Sequence, residues 1–304
     1  MRRFVVASAL LLAWALTSAS AGEAQVLKPD ELCSDYPASA TATFADADLE
    51  AAVRAALSIG ARENLTCGLV SGMTAFSASG PGPVRFVSGS PEWPDPDHGF
   101  EDLTGMQNLT GLTRLTMNNR WIADISALRG LTNLTVLNLH TNWISDLGPL
   151  SGMTKLTSLF LSENPITDIS ALRGMTELTV LRLHRHGDFI GGQRPRNFMG
   201  ARGLLHTNAI TDIGPLAGLT KLTDLNIHTH EVSDLRPLSG LTSLIYIDLR
   251  YNADLRNIQP LLDNPGIEAG DIVELRFTSV TCADQARLAA KGVEVRTELF
   301  SACR

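Results

Sequence analysis

The sequence is poor in several features that large classes of protein require. Aromatic residues make up only 6% of its 304 residues, and it has four cysteines. After the first 16 residues, no stretch approaches the roughly 18 apolar residues that a membrane-spanning helix needs. Lys and Arg number 25 against 32 Asp and Glu, and the formal net charge is −7. Because a nucleic-acid partner requires a basic surface to neutralise phosphates, this charge argues against nucleic-acid binding.

Motifs of the common catalytic sites are also missing. The chain has no Gly-x-Ser-x-Gly nucleophile turn, no His-Glu-x-x-His helix and no glycine-rich phosphate loop. No cysteine lies at a catalytic spacing from a candidate base. We therefore predict a protein without enzymatic activity and without a cofactor.

The first 21 residues have the three parts of a secretory signal. Arg2 and Arg3 supply the positive start, residues 4–16 are apolar, and small residues follow up to Ala21. This order predicts cleavage after Ala21 and export to the periplasm or to the outside of the cell. No cysteine follows the apolar run, so no lipid anchor is expected there.

Between residues 100 and 263 the sequence repeats every 22 residues. Residues 131–152 show the unit well, as Leu-Thr-x-Leu-Thr-x-Leu-x-Leu-x-x-Asn-x-Ile-x-Asp-Leu-x-x-Leu-x-Gly. Since one such unit cannot bury its apolar side alone, the period predicts a solenoid of stacked coils. The central Leu-x-Leu pair predicts a short strand with its leucines inward, and stacked coils pair such strands in a parallel sheet.

Two polar positions recur in these units. An asparagine closes each predicted strand, where an inward amide can bind the turning backbone, and a histidine twice takes its place. The asparagines are Asn142, Asn164, Asn208 and Asn252, and the histidines are His186 and His230. An aspartate before the next apolar segment is predicted to cap one helical turn on the opposite side. These aspartates are Asp124, Asp146, Asp168, Asp212 and Asp234.

At these residues the chain resembles the leucine-rich repeat proteins, and specifically the bacterial internalin-like class with its 22-residue unit. The resemblance implies an α/β solenoid shaped as a right-handed horseshoe. Its concave side would be a parallel β-sheet and its convex side short 3-10 or irregular segments. A helical N-terminal cap and an α/β C-terminal cap would close the ends. Protein–protein recognition is the function that the resemblance implies.

We divide the chain accordingly into five parts. They are a signal peptide (1–21), an N-terminal cap with a first degenerate coil (22–80), a Pro/Gly-rich loop (81–99), the repeat array (100–263) and a C-terminal cap (264–304). In the loop, Glu92, Asp95 and Asp97 match no known calcium-binding pattern, so a surface loop is predicted.

The repeat is interrupted at residues 184–204, a strongly basic stretch. Residues 175–218 are two periods long, which favours two degenerate coils. Gly200 and Gly203 stand where leucines should pack, which favours one coil with an inserted segment instead. Both interpretations remain open from the sequence.

The four cysteines flank the array in two pairs. Four cysteines allow three pairings, but a bond between the pairs would require the two ends of the solenoid to meet. We therefore predict the disulfides Cys33–Cys67 and Cys282–Cys303, as expected in an oxidising compartment.

Outward positions on and beside the predicted strands are the candidate partner-binding residues. They are Arg114, Asn138, His140, Phe160, Arg182, His184, His206, Asn226, His228, Tyr246, Asp248 and Arg250. Trp121 and Trp143 share one repeat position just beyond the strand. They fit either a partner-binding hot spot or a cover for the edge of the leucine core.

Four of these residues, His140, His184, His206 and His228, form one predicted column. A metal site from His206, His228 and His230 is one hypothesis, since imidazole binds zinc or copper. A face whose charge changes near pH 6.5 is another. The third is a polar position tolerated in every copy of the repeat. No further ligand is assigned to complete a metal site, so no metal is predicted.

The leading functional hypothesis is a secreted, monomeric module that binds a protein, or a glycan, through its concave face. One alternative is a structural protein of the cell envelope that assembles with itself. The other is a metal-binding protein or metalloenzyme that uses the histidine column.

Overall fold

The structure is a computed structural model that describes residues 25–79, 86–87, 90–91, 99–100, 102–185 and 209–297. The predicted signal peptide and the three acidic residues of the Pro/Gly-rich loop lie outside this part. In the described residues, nine short strands form one parallel sheet in the order β1-β4-β5-β6-β7-β8-β9-β10-β11, and β2 and β3 form a separate antiparallel pair. The strands are β1 (Ala75–Ser77), β2 (Phe86–Val87), β3 (Ser90–Pro91), β4 (Arg114–Thr116), β5 (Val136–Asn138), β6 (Ser158–Phe160), β7 (Val180–Arg182), β8 (Asp224–Asn226), β9 (Tyr246–Asp248), β10 (Ile272–Glu274) and β11 (Glu294–Arg296).

Helices are short, and most are single 3-10 turns on the other side of the coils. The α-helices are α1 (Ala47–Ala56), α2 (Cys67–Ser71), α3 (Gln259–Asp263) and α4 (Cys282–Ala289). The 3-10 turns are Cys33–Asp35, Met106–Asn108, Ser126–Leu128, Gly148–Leu150, Ser170–Gly174, Gly214–Gly218 and Arg236–Leu238. Within the described ranges, none of these helices has both the length and the apolar character to cross a bilayer.

The repeat unit folds as the period predicts. Leu115, Leu137 and Leu159 pair in register on β4, β5 and β6, and all three are fully buried. Every repeat thus places the same leucines at the same depth, which makes one continuous apolar core along the array. The fold is the predicted leucine-rich repeat solenoid with a parallel sheet.

The recurrent aspartates and asparagines hold the turns as predicted. Asp124 Oδ1 accepts a hydrogen bond of 2.7 Å from the Ser126 amide at the start of a 3-10 turn. Asn142 is buried, and its Oδ1 accepts from the Ile122 amide at 3.1 Å while its Nδ2 donates to the Met117 carbonyl at 2.8 Å. The described inward asparagines Asn142, Asn164 and Asn252 all bind backbone from their own coil and from the preceding coil.

The sheet continues directly from the strand before the irregular segment to the strand after it. β7 and β8 pair directly, Val180 opposite Asp224, although 44 residues separate these two positions. The interpretation as two degenerate coils is therefore wrong, because no strand lies between β7 and β8. Residues 186–208, with Asn208, His186 and His206, lie outside the described part.

Elements of the predicted cap types lie at both ends of the array. α1 begins after Asp46, whose side chain accepts a hydrogen bond of 2.8 Å from the Leu49 amide. Leu49 and Val53 on this helix are fully buried. At the other end β10, α4 and β11 follow the last repeat, and Gly292 turns the chain out of α4 with a φ of +87°.

The predicted N-terminal disulfide is confirmed. Cys33 and Cys67 are bonded, with their Cα atoms 5.3 Å apart. The bond ties the segment before α1 to α2, and the Cys33 amide also donates to Asn108 Oδ1 at 2.7 Å. Cys282 is disulfide-bonded too, and its predicted partner Cys303 lies outside the described residues.

Candidate functional site

The outward side chains of the nine-stranded sheet form three parallel columns, which we call the concave face. The first column has Ala75, Arg114, Val136, Ser158, Val180, Asp224, Tyr246, Ile272 and Glu294. The second has Ser77, Thr116, Asn138, Phe160, Arg182, Asn226, Asp248, Glu274 and Arg296. The third lies two residues beyond the strands, with Ser79, Asn118, His140, Ser162, His184, His228, Arg250 and Arg276. The predicted partner-binding residues on and beside the strands all lie on this face, except His206, which lies outside the described residues.

Charged side chains crowd onto the strands from β8 to β11, which we call the paired half. Asp248 is fully buried and binds Arg250 through Nη2 and Oδ2 at 2.6 Å. Because Asp248 accepts these hydrogen bonds, the pKa of Arg250 is raised. Glu274, only 3% exposed, contacts Arg276 at 2.9 Å and Arg296 at 3.2 Å. The acids and arginines here neutralise one another within the sheet.

Tyr246 lies within this paired half and stays protonated. Its hydroxyl donates to Asp248 Oδ2 at 3.5 Å. Burial raises the pKa of Tyr246, and the negative charges of Asp248 and Glu274 raise it further. The tyrosine therefore offers a neutral, partly exposed ring to a ligand.

The sequence analysis missed Glu274, Arg276 and Arg296. They belong to β10 and β11, which were treated as the cover of the array and not as part of its binding surface. A signal was present: in both strands a charged residue occupies the third position, as Asp248 does in β9.

The other half of the face carries almost no charge. We call the outward residues of β1, β4, β5 and β6 the neutral half. Half of these side chains are hydroxyls or amides, and Phe160 on β6 is a large apolar group. Arg182 on β7 stands at the border, 2.9 Å from Asp224 Oδ2 and with its guanidinium 5.8 Å from the centre of the Phe160 ring.

Three of the predicted histidines form a column, but its order differs from the prediction. Because β7 and β8 are neighbours, His184 and His228 stack directly, with ring centres 4.6 Å apart. His140 lies 6.4 Å from His184, and Ser162 Oγ is 2.9 Å from His184 Nδ1. The placement of a coil with His206 between His184 and His228 is therefore wrong.

The hypothesised metal ligands are not brought together. His228 faces outward, whereas His230 is 5% exposed and lies among the backbone turns. His206 is not among the described residues. In the described ranges, no group of three or more His, Cys, Asp or Glu side chains is arranged to hold a metal ion.

Comparisons with known proteins agree with this geometry. A family model described as Leucine Rich repeats (2 copies) matches residues 102–152. An internalin from Listeria monocytogenes (InlF) superimposes with a TM-score of 0.62 and 24% identity, over 84% of this chain and 64% of that one. Internalin C2 from the same organism gives a TM-score of 0.62 and 25% identity, over 83% of this chain and 93% of that one. A search of curated protein sequences returned no match.

The chain is similar to these internalins over most of its length, and residues 102–152 match the leucine-rich repeat model. It spans less than two thirds of the length of InlF, although it covers nearly all of internalin C2. At this level of identity the comparisons establish the solenoid and its type of repeat. A leucine-rich repeat solenoid of this type indicates a protein-interaction module.

Aromatic side chains of this internalin-like protein stack at the edge where its strands end. Trp121 and Trp143 are parallel within 14°, with ring centres 6.1 Å apart, and Trp143 is 39% exposed. Tyr251 and Phe277 stack at 4.3 Å in the same way near the other end of the sheet. Trp121 is half-buried, and Trp143 beside it remains accessible to solvent.

Proposed function

We propose that this internalin-like protein is an exported, non-enzymatic module that binds another protein through its concave face. The observation that carries the proposal is a set of partly exposed rings, Phe160 and Tyr246, held on short strands over a continuous leucine core. Rigid aromatic anchors of this kind dominate the binding energy of protein interfaces. The predicted signal peptide and the Cys33–Cys67 disulfide support export to an oxidising compartment.

A glycan is the second class of ligand, and one observation favours it. One face of Trp143 is turned towards the half-buried Trp121, and the residue is 39% exposed. The orientation of its accessible side is therefore fixed before a ligand arrives. Apolar faces of sugar rings pack on aromatic rings held in this manner. A glycan would therefore bind at the edge of the sheet, and a protein on its face.

Replacing Phe160 and Tyr246 together with alanine is expected to weaken protein binding by about tenfold or more, because a rigid aromatic ring at the centre of an interface supplies a large share of its binding free energy. The measurement is a pull-down of exported and cell-surface proteins of the source organism with the purified chain, followed by titration of each captured protein. A glycan array run in parallel, with Trp143→Ala as the variant, tests the sugar alternative.

The matched control replaces Arg129 and Arg173 with alanine, since both are exposed beside 3-10 turns away from the sheet. This control should leave binding unchanged. The proposal is contradicted if both double variants lose the same affinity, or if the Phe160 and Tyr246 double variant binds as well as the wild type. Sedimentation that shows concentration-dependent oligomers without any partner favours the self-assembling structural protein instead. Bound zinc or copper in the untagged chain favours the metal alternative.

A further inference from the structure

One arginine on the concave face has no charge opposite it. Among the outward residues of β1, β4, β5 and β6, all of which the structure describes, Arg114 alone is permanently charged. Its neighbours in the same column are Ala75 and Val136, which cannot pair with a guanidinium. Within the described ranges the Arg114 side chain makes no hydrogen bond, ion pair or ring contact.

The paired half has already used its charges. Arg250, Arg276 and Arg296, together with Arg182 at its border, each contact an acid within 3.2 Å. A partner that covered these arginines would either break their ion pairs or leave them unchanged. In both cases it would gain little binding free energy from them. Arg114, in contrast, is exposed and hydrated, and a partner that covers it must supply a carboxylate to replace the lost water.

Three apolar side chains stand among polar ones on the strands that follow Arg114. Val136, Phe160 and Val180 stand on the consecutive strands β5, β6 and β7, and all three are partly exposed. Burying such side chains adds favourable apolar area at the place where Arg114 fixes the register. Phe160 is two strands away from Arg114 and two residues further along the strand direction, which together give about 12 Å at the usual strand spacing and rise.

We infer that the protein partner binds the neutral half of the concave face, with an acidic side chain on Arg114 and a large apolar side chain on Phe160. The inference rests on the proposed function and adds the location and the chemistry of the partner. The recognised segment carries Asp or Glu about 12 Å from an aromatic or leucine side chain, a distance that an extended peptide or the face of a helix can span.

Selection from a displayed library of random peptides against the purified chain tests this directly. The enriched peptides are expected to combine Asp or Glu with a large apolar residue. Arg114→Gln should lower the affinity for the synthesised peptides about tenfold, because the carboxylate of the peptide loses its charged partner. The matched control is Arg296→Gln, the same change on the paired half, where Glu274 keeps Arg250 and Arg276; it should leave affinity unchanged.

A double-mutant cycle separates the ion pair from general charge effects. Changing the acidic residue of the peptide to its amide should lower its affinity for the wild-type chain about tenfold. The same change should not lower its affinity for Arg114→Gln any further. The inference is overturned if the enriched peptides lack acidic residues, or if the library yields no binders. It is also overturned if the amide change in the peptide lowers affinity equally for the wild-type chain and for Arg114→Gln. If Phe160→Ala abolishes peptide binding while Arg114→Gln is silent, this inference fails and the concave-face function stands. If neither variant changes binding, both fail.

Discussion

Acidification from pH 7 to pH 4 is expected to lower the free energy of unfolding by about 3 kcal/mol through one buried side chain, His230. His230 replaces the inward asparagine of its coil and is 5% exposed. The Ile210 amide donates to its Nδ1 at 3.3 Å, so the ring proton sits on Nε2 and is donated to the Leu183 carbonyl at 2.9 Å. The neutral ring thus joins the two ends of the coil that contains the irregular segment.

The direction of the effect follows from the pKa of His230, which is lowered from 6.5 to about 4. Burial is the main cause, because it disfavours the charged ring, and the nearby Arg185 and His228 add repulsion. The unfolded chain therefore takes up the proton first. The contribution of His230 to the free energy of unfolding is therefore complete above about pH 6.5 and is lost as the pH falls towards 4. Below about pH 4 this loss does not increase further.

The test is urea unfolding from about pH 7.5 to about pH 4.5, with His230→Asn as the variant. Asparagine restores the side chain found at Asn142 and cannot be protonated, so this variant should lose much less stability on acidification than the wild type. His140→Asn on the concave face is the control and should follow the wild type. Parallel curves for the wild type and His230→Asn would show that His230 is not responsible.

Replacing Asn164 with alanine is expected to cost about 4 kcal/mol of folding free energy. Asn164 Nδ2 donates to the carbonyls of Leu139 and Leu161, both at 2.9 Å, and its Oδ1 accepts from the Ile144 amide at 3.0 Å. Its side chain is 5% exposed, so water cannot replace it without entering the core. Alanine would leave one amide and two carbonyls buried without partners, each at a cost of about 1–3 kcal/mol.

The control is Asn138→Ala, one coil earlier. Asn138 points outward from β5, is partly exposed, and its Oδ1 accepts one hydrogen bond of 3.1 Å from the His140 amide. Water can replace that bond, so the expected loss is less than about 1 kcal/mol. Urea midpoints with unchanged m-values measure both effects. Similar losses in the two variants would mean that the inward asparagines do not hold the coils together.

How far sequence reasoning reached depends on whether a feature is local to one repeat. Asn142 and Asp124 act within a coil and on the adjacent one, and the 22-residue period predicted both roles. The same holds for Cys33 and Cys67, which lie on one side of the array. His184 and His228 are 44 residues apart, and their contact depended on whether residues 186–208 formed a coil.

The candidate site was predicted only in outline for a similar reason. Arg250 and Tyr246 were identified as outward residues from the repeat pattern alone. Their partners Asp248 and Glu274 become apparent only when β9 and β10 are adjacent and side chains are in place. Arg114 was one candidate among many in the sequence, and it became distinctive when the other concave arginines turned out to be paired.

The low aromatic content, the four cysteines and the leucine period by themselves determined a solenoid, its strands, its inward asparagines and one disulfide. These features depend on a periodic apolar pattern that only one kind of stacking can bury. The tertiary structure decided that β7 and β8 are neighbours, that His184 stacks on His228, and that the concave face divides into a paired and a neutral half. Those outcomes depend on which coils touch and on which charges lie within reach of each other, and the repeat pattern specifies neither.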